Sequence, residues 1–594
     1  MNRVALAGAL SIFLTLPIPV SAQKKSATPT SSLCTRDYAI DTTKSQILQS
    51  RTFDNVVQRV GILLRAADLL WPQQRDKALA TFTEAFELAV EHFKETGDEV
   101  RRVSQSQFAA RVVLPDQRFK VISAIARRDP ATARKLSEQI LQQNARDAEQ
   151  KSAADDQSAR RTNEKLLTVA YELLKTDAAT AFTFARYSFR YPATLQLPGF
   201  LYELSKTNKS SADQLYAEAL AAYRTAPMDQ FLYLSSYPFG NSREAGEMPG
   251  YTIYAVPADF VPNQSLQRQF VQTLLARIEA ALAEPPAVPA ESYRYSEQAQ
   301  MWLALTRLEK QIESTLPDLF DATVRAKEKL SPLLTASVRP RVQAALDRDN
   351  APKRSFDELV EAAEKVDDVN RRDRELTMAI TGSSKGQTVE RVINVIDKIS
   401  DTGVRAPLLN WFYYFRTQEL IASKQLVEAR RLATKVAELD QRAYLFTRIA
   451  EESLKESKDK SEAHDLLNEI ANDVAKAPKT IVAARALLAL AYLYAKIDTN
   501  RGVEELGKAV NTINALESPD FSQQFVMMKI EGKTFGSYAA FSTPGFNPEN
   551  AFREMGKLDF DGSLVQSANF SDKSLRALTT LSVIEPCFSA SKQP

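Results

Sequence analysis

The stretch Pro478–Leu516, PKTIVAARALLALAYLYAKIDTNRGVEELGKAVNTINAL, constrains the fold more than any other part of this sequence. Ala484, Leu487, Leu488, Ala491, Leu493 and Tyr494 recur at helical spacing over almost four turns. Asp498-Thr499-Asn500 supplies a turn with cap-forming side chains. Val503, Leu506, Gly507, Val510 and Ile513 then form a second stripe, and the small residues Ala491 and Gly507 are expected to let the two helices approach closely. A hairpin of this kind cannot bury its apolar faces alone. It requires neighbours, so it reads as one unit of a stacked helical array.

Length agrees with that reading. A chain of 594 residues exceeds what one hydrophobic core serves. Glycine, at 17 residues, is too scarce for a sandwich or barrel rich in tight turns. The expected fold class is all-α: a curved array of helical hairpins, with an irregular aromatic and proline-rich insertion.

The N-terminus has the pattern of a secretion signal. Arg3 gives the positive end, Val4 to Val20 is apolar, and Val20-Ser21-Ala22 resembles a cleavage site, so the mature chain is expected to start near Gln23. No cysteine follows that site, which argues against a lipoprotein. No later run is long and apolar enough to span a bilayer. The location implied is periplasmic or secreted, with peripheral envelope association open. Loss of Arg3 leaves 75 basic against 74 acidic side chains, from 76 and 74. That balance argues against a nucleic-acid partner.

Two cysteines, Cys34 and Cys587, lie near the two ends. In an exported protein they can pair. A bond between them requires Cα atoms within about 7 Å, hence a closed or strongly curved shape. The other reading leaves both thiols free.

Residues 23–43 read as a flexible leader, and 44–226 as helical repeats. The segment 227–262 is irregular, with Pro227, Pro238, Pro249, Pro257 and Pro262. Tyr251, Ile253 and Ala255 alternate as in a short strand. After it come central helices over 263–350, interrupted by EPPAVP at 284–289. A long charged helix is expected over 356–380. Repeats fill 351–534, and 535–594 is expected to hold an irregular glycine-rich, aromatic segment and a terminal capping helix.

A second pattern accompanies the repeats. Leu359, Ala362, Ala363 and Val366 precede Arg372; Val392, Val395, Ile396 and Ile399 precede Arg405; Ala429, Leu432, Ala433 and Val436 precede Arg442. Each arginine follows the last apolar position by six residues. Its expected role is to satisfy carbonyls at the end of the preceding helix. A ladder of ligand-binding arginines is the alternative.

Small, aromatic and small residues recur at i, i+4 and i+7: Ala78, Phe82, Ala85; Ala178, Phe182, Ala185; and Ala212, Tyr216, Ala219, 34 residues further on. Related triplets are Ala429, Ala433, Val436, then Ala463, Leu467, Ile470, again 34 residues apart, and Val503, Gly507, Val510. These resemble the second helix of tetratricopeptide-type alpha-solenoid repeats. The first helix departs from that family, with Leu487 and Ala491, or Thr447 and Glu451, where tryptophan and glycine are usual. The repeats are therefore divergent, and roughly half of the chain shows them. The whole sequence also resembles large exported proteins of environmental bacteria, especially acidobacteria, a resemblance that implies no activity. The repeat family implies binding of a protein or peptide on a concave surface.

Motifs for chemistry are absent from the sequence. There are two histidines, His92 and His464, and no H-E-x-x-H or C-x-x-C. No metal or cofactor is expected. Thr381-Gly382-Ser383-Ser384-Lys385-Gly386 lacks the phosphate-loop pattern and reads as a turn, with Gly382 ending a helix. Paired carboxylates, such as Glu244 with Glu247 or Asp259, are the one generic hydrolytic option. Tyr233, Tyr237, Phe239, Tyr251, Tyr254 and Phe260 are the candidate ligand or partner residues, since aromatic rings with polar tips suit interfaces. The alternative is that they fill a local core.

Three functions follow in order. The first is an exported scaffold binding a protein or peptide in the cell envelope. The second is a module binding glycan, cell wall or a small ligand. The third is an envelope hydrolase with paired carboxylates.

Overall fold

The structure, a computed structural model, describes residues 33–97, 100–102, 111–113, 116–150, 156–174, 176–241, 243–244, 252–283, 296–334, 338–350, 354–456, 460–517, 519, 521, 525–542 and 544–589. The expected signal peptide, the leader up to residue 32 and the 284–289 boundary lie outside them. The described residues are mostly α-helical, with three two-stranded antiparallel hairpins. No described helix is long and apolar enough to cross a membrane.

The leader is shorter than its polar composition implies. Helix Arg36–Ser50 covers the last part of the expected leader, capped by the Thr35 hydroxyl and burying Ala39, Ile40 and Thr43. Its apolar positions are sparse, which is why the sequence hides it. The next helices, Val56–Leu70 and Arg75–Thr96, pack closely on each other. Ala78, Phe82 and Ala85 are fully buried between them. A large apolar side chain buried in this way contributes roughly 1.5–3 kcal/mol.

The same triplet rule holds at Ala212, Tyr216 and Ala219, at Ala429, Ala433 and Val436, and at Ala463, Leu467 and Ile470, all buried. It fails in register twice. In helix Ala178–Ser188 the buried set is Ala181, Phe184, Ala185 and Ser188, whereas Ala178 is exposed at the first turn. In helix Thr499–Asn514 the buried set includes Gly502, Leu506, Ala509 and Ile513. The close approach to helix Ile481–Tyr494 is therefore made by Gly502, not Gly507. A Cβ on Gly502 would lie 3.0 Å from the Ala495 nitrogen and 3.2 Å from the Ala491 oxygen. Gly507 instead faces the Gln566 amide. The turn between these helices is as expected, with Asp498 accepting from the Asn500 and Arg501 amides at 3.0 and 3.3 Å.

Four further differences appear. The charged helix expected over 356–380 is two helices, Phe356–Glu364 and Val369–Ser383, because Asp368 caps the second by accepting from the Arg371 amide at 2.7 Å. Gly382 remains helical, and Gly386 takes the left-handed conformation (φ +80°) in the turn that follows. The segment expected to be irregular after residue 535 belongs to a regular hairpin, Phe525–Glu531 with Gly536–Ser542, in register from Phe525 opposite Ser542 to Glu531 opposite Gly536. Beyond it stand three helices, Pro548–Leu558, Phe560–Ala568 and Lys573–Ile584, where one capping helix was expected.

The arginine pattern is structural at two of its three places. Arg442 donates to the Val436 carbonyl at 2.7 Å, and Arg405 donates to that of Ile399. Arg576 does the same to Phe570, again six residues back, at 2.6 Å. Arg372 instead reaches the Ser400 hydroxyl at 3.0 Å. Buried polar side chains serve neighbouring loops in the same way: Asp373 accepts from the Ser400 and Asp401 amides, and Asn410 from Ala437. Those pairs satisfy backbone groups that packing would otherwise strand.

The two chain ends meet. Cys34 and Cys587 are disulfide-bonded. Helices Arg36–Ser50 and Val56–Leu70 both pack on Lys573–Ile584. Gln58 accepts from Ser574 at 2.8 Å, Arg65 pairs with Glu585, and Tyr38 meets Phe560 edge-on at 6.3 Å. At the middle of the chain the packing thins. Helix Arg339–Asn350 rests on Glu297–Thr315 over a small separate core of Ala299, Leu303, Leu334, Val342 and Ala345. Phe356 and Val360 of the next helix belong to the main core. The order of packed helices thus runs from Phe356 to the C-terminus, across the disulfide to Arg36, and on to Asn350.

Candidate functional site

The aromatic insertion folds inward. Tyr237, Phe239 and Tyr254 are buried, and of the three only Phe239 also borders a recess. Tyr237, Tyr254 and Phe260 surround Tyr202 of helix Gln196–Thr207, their ring centroids lying 5.4, 5.8 and 5.0 Å from its own. Tyr237 also stacks on Tyr216 at 5.5 Å and donates to Asp213 at 2.8 Å, while Tyr202 donates to the Ser236 carbonyl at 2.8 Å. Burial raises the pKa of both hydroxyls. Phe239 packs on Phe270. Tyr233 and Phe260 are half-buried against the same core. The reason is composition: an insertion this rich in rings lowers its free energy by covering them. Tyr251 lies outside the described residues. The strand expected around it is Thr252–Tyr254, paired with Arg243–Glu244. Of the candidate carboxylates, Asp259 is exposed, Glu247 lies outside the described residues, and so does the side chain of Glu244.

A recess beside the insertion, between Phe239, Pro262 and Gln311, is wide open. Two of its three amides are engaged, Gln311 donating to the Phe239 carbonyl at 3.2 Å and Gln264 to that of Thr315 at 2.5 Å, while the buried Gln267 Oε1 has no hydrogen-bond partner among the described residues.

A second cavity, of about 540 Å³, lies where three helices stand side by side. Helix Leu439–Glu456 presents Tyr444, Thr447, Arg448 and Glu451, one face at i, i+3, i+4 and i+7. Helix Ile481–Tyr494 presents Ala489, Tyr492 and Leu493. Helix Pro548–Leu558 presents Asn550, Arg553 and Glu554. The turn Pro544–Phe546, after the β-hairpin, places Gly545 and Phe546 against the middle helix. Tyr444 and Phe546 meet edge-on at 6.4 Å.

Its charges are unequally matched. Glu451 faces Lys496 at 3.8 Å and Glu554 pairs with Lys557 at 2.6 Å. Arg553 pairs with Glu585 at 2.5 Å and donates to Asn550 at 2.7 Å. Arg448 is exposed and has no ion pair or hydrogen bond among the described residues. Glu452, one turn further along its helix, is held instead by Lys455 at 2.6 Å. The hydroxyls of the half-buried Tyr444 and Tyr492 likewise have no hydrogen bond among the described residues.

Outside the lining, Arg553 neighbours a second charged cluster. Glu549, on the same helix, is flanked by Arg65, Arg553, Lys120 and Glu585. Burial raises its pKa, the three cations oppose that, and Glu585 adds to it. Desolvation lowers the pKa of Lys120 against the pull of Glu549, although its side chain reaches solvent.

Among the described residues, no cluster of three or more His, Cys, Asp or Glu side chains has a metal-site arrangement. Sequence reasoning missed this cavity because it assigned all of Pro478–Leu516 to stacking. Tyr492 is half-buried between the buried Ala491 and Leu493 in a helix apolar nearly all round, so periodicity does not set it apart, and Phe546 belongs to the glycine-rich break that follows. Comparison with models of protein families and with curated proteins finds no match to this chain.

Proposed function

We propose that this protein is an exported scaffold of divergent, tetratricopeptide-like helical hairpins that binds a protein or peptide partner in the cell envelope. The observation that carries the reading is the cavity across three neighbouring helices. Its long side chains set polar tips beside aromatic faces, the composition of recognition surfaces. A segment lying across the helix axes would meet Tyr444, Tyr492 and Asn550 in turn. The disulfide between the ends supports export, because such bonds persist in oxidising compartments.

The same rings favour a second reading, a glycan or cell-wall ligand, since Tyr444 and Tyr492 offer flat faces beside the Asn550 amide and the Glu554 carboxylate. Mild crosslinking in producing cells, purification of the mature protein and identification of what travels with it separates the two. Recovery of one stoichiometric protein supports the scaffold. Recovery of muropeptides alone contradicts it.

A further inference from the structure

The geometry points to a specific ligand chemistry for the cavity between Tyr444, Tyr492 and Phe546: a peptide segment bearing an aromatic side chain next to a carboxylate. This rests on the peptide-binding reading above. The argument is one of unmatched groups. Both cavity carboxylates have lysine partners that project from outside the lining, Lys496 on Glu451 and Lys557 on Glu554. Arg553 is held by Glu585. Among the described residues one charge of the lining is left over, the guanidinium of Arg448, on the same helix face as Tyr444. A guanidinium binds a carboxylate through two parallel N–H donors, and a neighbouring tyrosine hydroxyl can add a third.

The apolar half of the cavity selects the neighbour of that carboxylate. Tyr444 and Phe546 meet edge-on, and the Lys496 ammonium lies 4.3 Å from the Tyr492 ring centroid. Leu493, Ala489 and Gly545 form the floor. A void of about 540 Å³ admits one aromatic side chain and the backbone on either side of it. The carboxylate can be a glutamate side chain or a free chain terminus; the arginine reads both alike.

The test uses the full mature chain with its disulfide intact and fluorescence anisotropy of labelled Gly-Ser peptides. One carries an internal Phe-Glu pair, one Phe-Gln, and one ends in a free Phe carboxylate. Chitotetraose serves as the glycan probe. The expected result is binding of at least one carboxylate peptide about tenfold tighter than Phe-Gln, a difference that Arg448→Gln abolishes and Lys385→Gln, in a distant turn, leaves intact. Which carboxylate peptide binds identifies the source. Equal affinity for Phe-Glu, Phe-Gln and free-Phe peptides overturns the carboxylate inference while leaving peptide binding in place. Binding of chitotetraose with no binding of any peptide overturns both.

Discussion

Cys34 and Cys587 are 553 residues apart in the chain and 5.1 Å apart between Cα atoms. Their bond joins helices that also touch through Arg65 with Glu585 and Gln58 with Ser574. The ends of the chain are consequently an internal joint of the packed array. The double variant Cys34→Ser/Cys587→Ser should remain folded on those contacts and lose stability. In the chain-entropy account a loop this long is worth about 6 kcal/mol. Calorimetry of the two forms measures it, and an unchanged Tm would contradict the joint's importance.

A related expectation concerns connectivity. If the ends are internal, a chain with Ser589 linked to Leu33 and opened between Asn350 and Arg354 keeps every major helix–helix contact. The permuted protein should show the same far-ultraviolet circular dichroism and a cooperative melt. A molten or aggregated product would place essential packing across the 350–354 junction.

Asp116 makes the clearest acid-sensitive contact. Its carboxylate is 1% exposed and pairs with Arg118 at 2.9 Å and Lys165 at 2.8 Å. Burial pushes its pKa up, but the two cations outweigh that, and the folded value lies below the ordinary 3.8. The contribution is fully present above the unfolded pKa and is lost as pH falls through the folded one. Asp116→Asn should cost about 3–5 kcal/mol near neutrality, since it removes the buried carboxylate that both Arg118 and Lys165 pair with. Urea midpoints at pH 7 and pH 3 should show the gap between wild type and variant narrowing on acidification. A constant gap would remove the ion network as its cause.

Gly502 and Gly507 share one helix and differ in what an added methyl meets. Gly502→Ala drives it into the Ala491 and Ala495 backbone and should cost about 1–3 kcal/mol. Gly507→Ala meets only the end of the Gln566 side chain, at 3.3 Å, and gains helix propensity of up to about 1 kcal/mol. Thermal melts of the pair decide it; equal destabilisation would mean that the hairpin packs in the register first read from the sequence.

That register shows how far the sequence is legible. Helical periodicity places the Pro478–Leu516 hairpin and its Asp498 cap, because apolar spacing and capping chemistry are local. The choice between Gly502 and Gly507 depends on which neighbour each side of the helix meets, and periodicity offers both. The six-residue arginine pattern is legible because donor and acceptor lie within one turn region. Tyr237, Phe239 and Tyr254 mark a real cluster, yet ring chemistry alone does not say whether a cluster faces water or Tyr202. The cavity was harder still. Tyr444, Tyr492 and Phe546 come from three separate segments, so only tertiary packing brings them together.

The most direct measurement places a photo-crosslinking amino acid at Tyr492, in the cavity, and separately at Val427, which is exposed on helix Leu426–Ala433. Irradiation in producing cells should give one discrete protein adduct from position 492 and none from 427, and Arg448→Gln should weaken that adduct. Equal labelling at both positions, or adducts at 492 that contain glycan and no protein, would contradict the account.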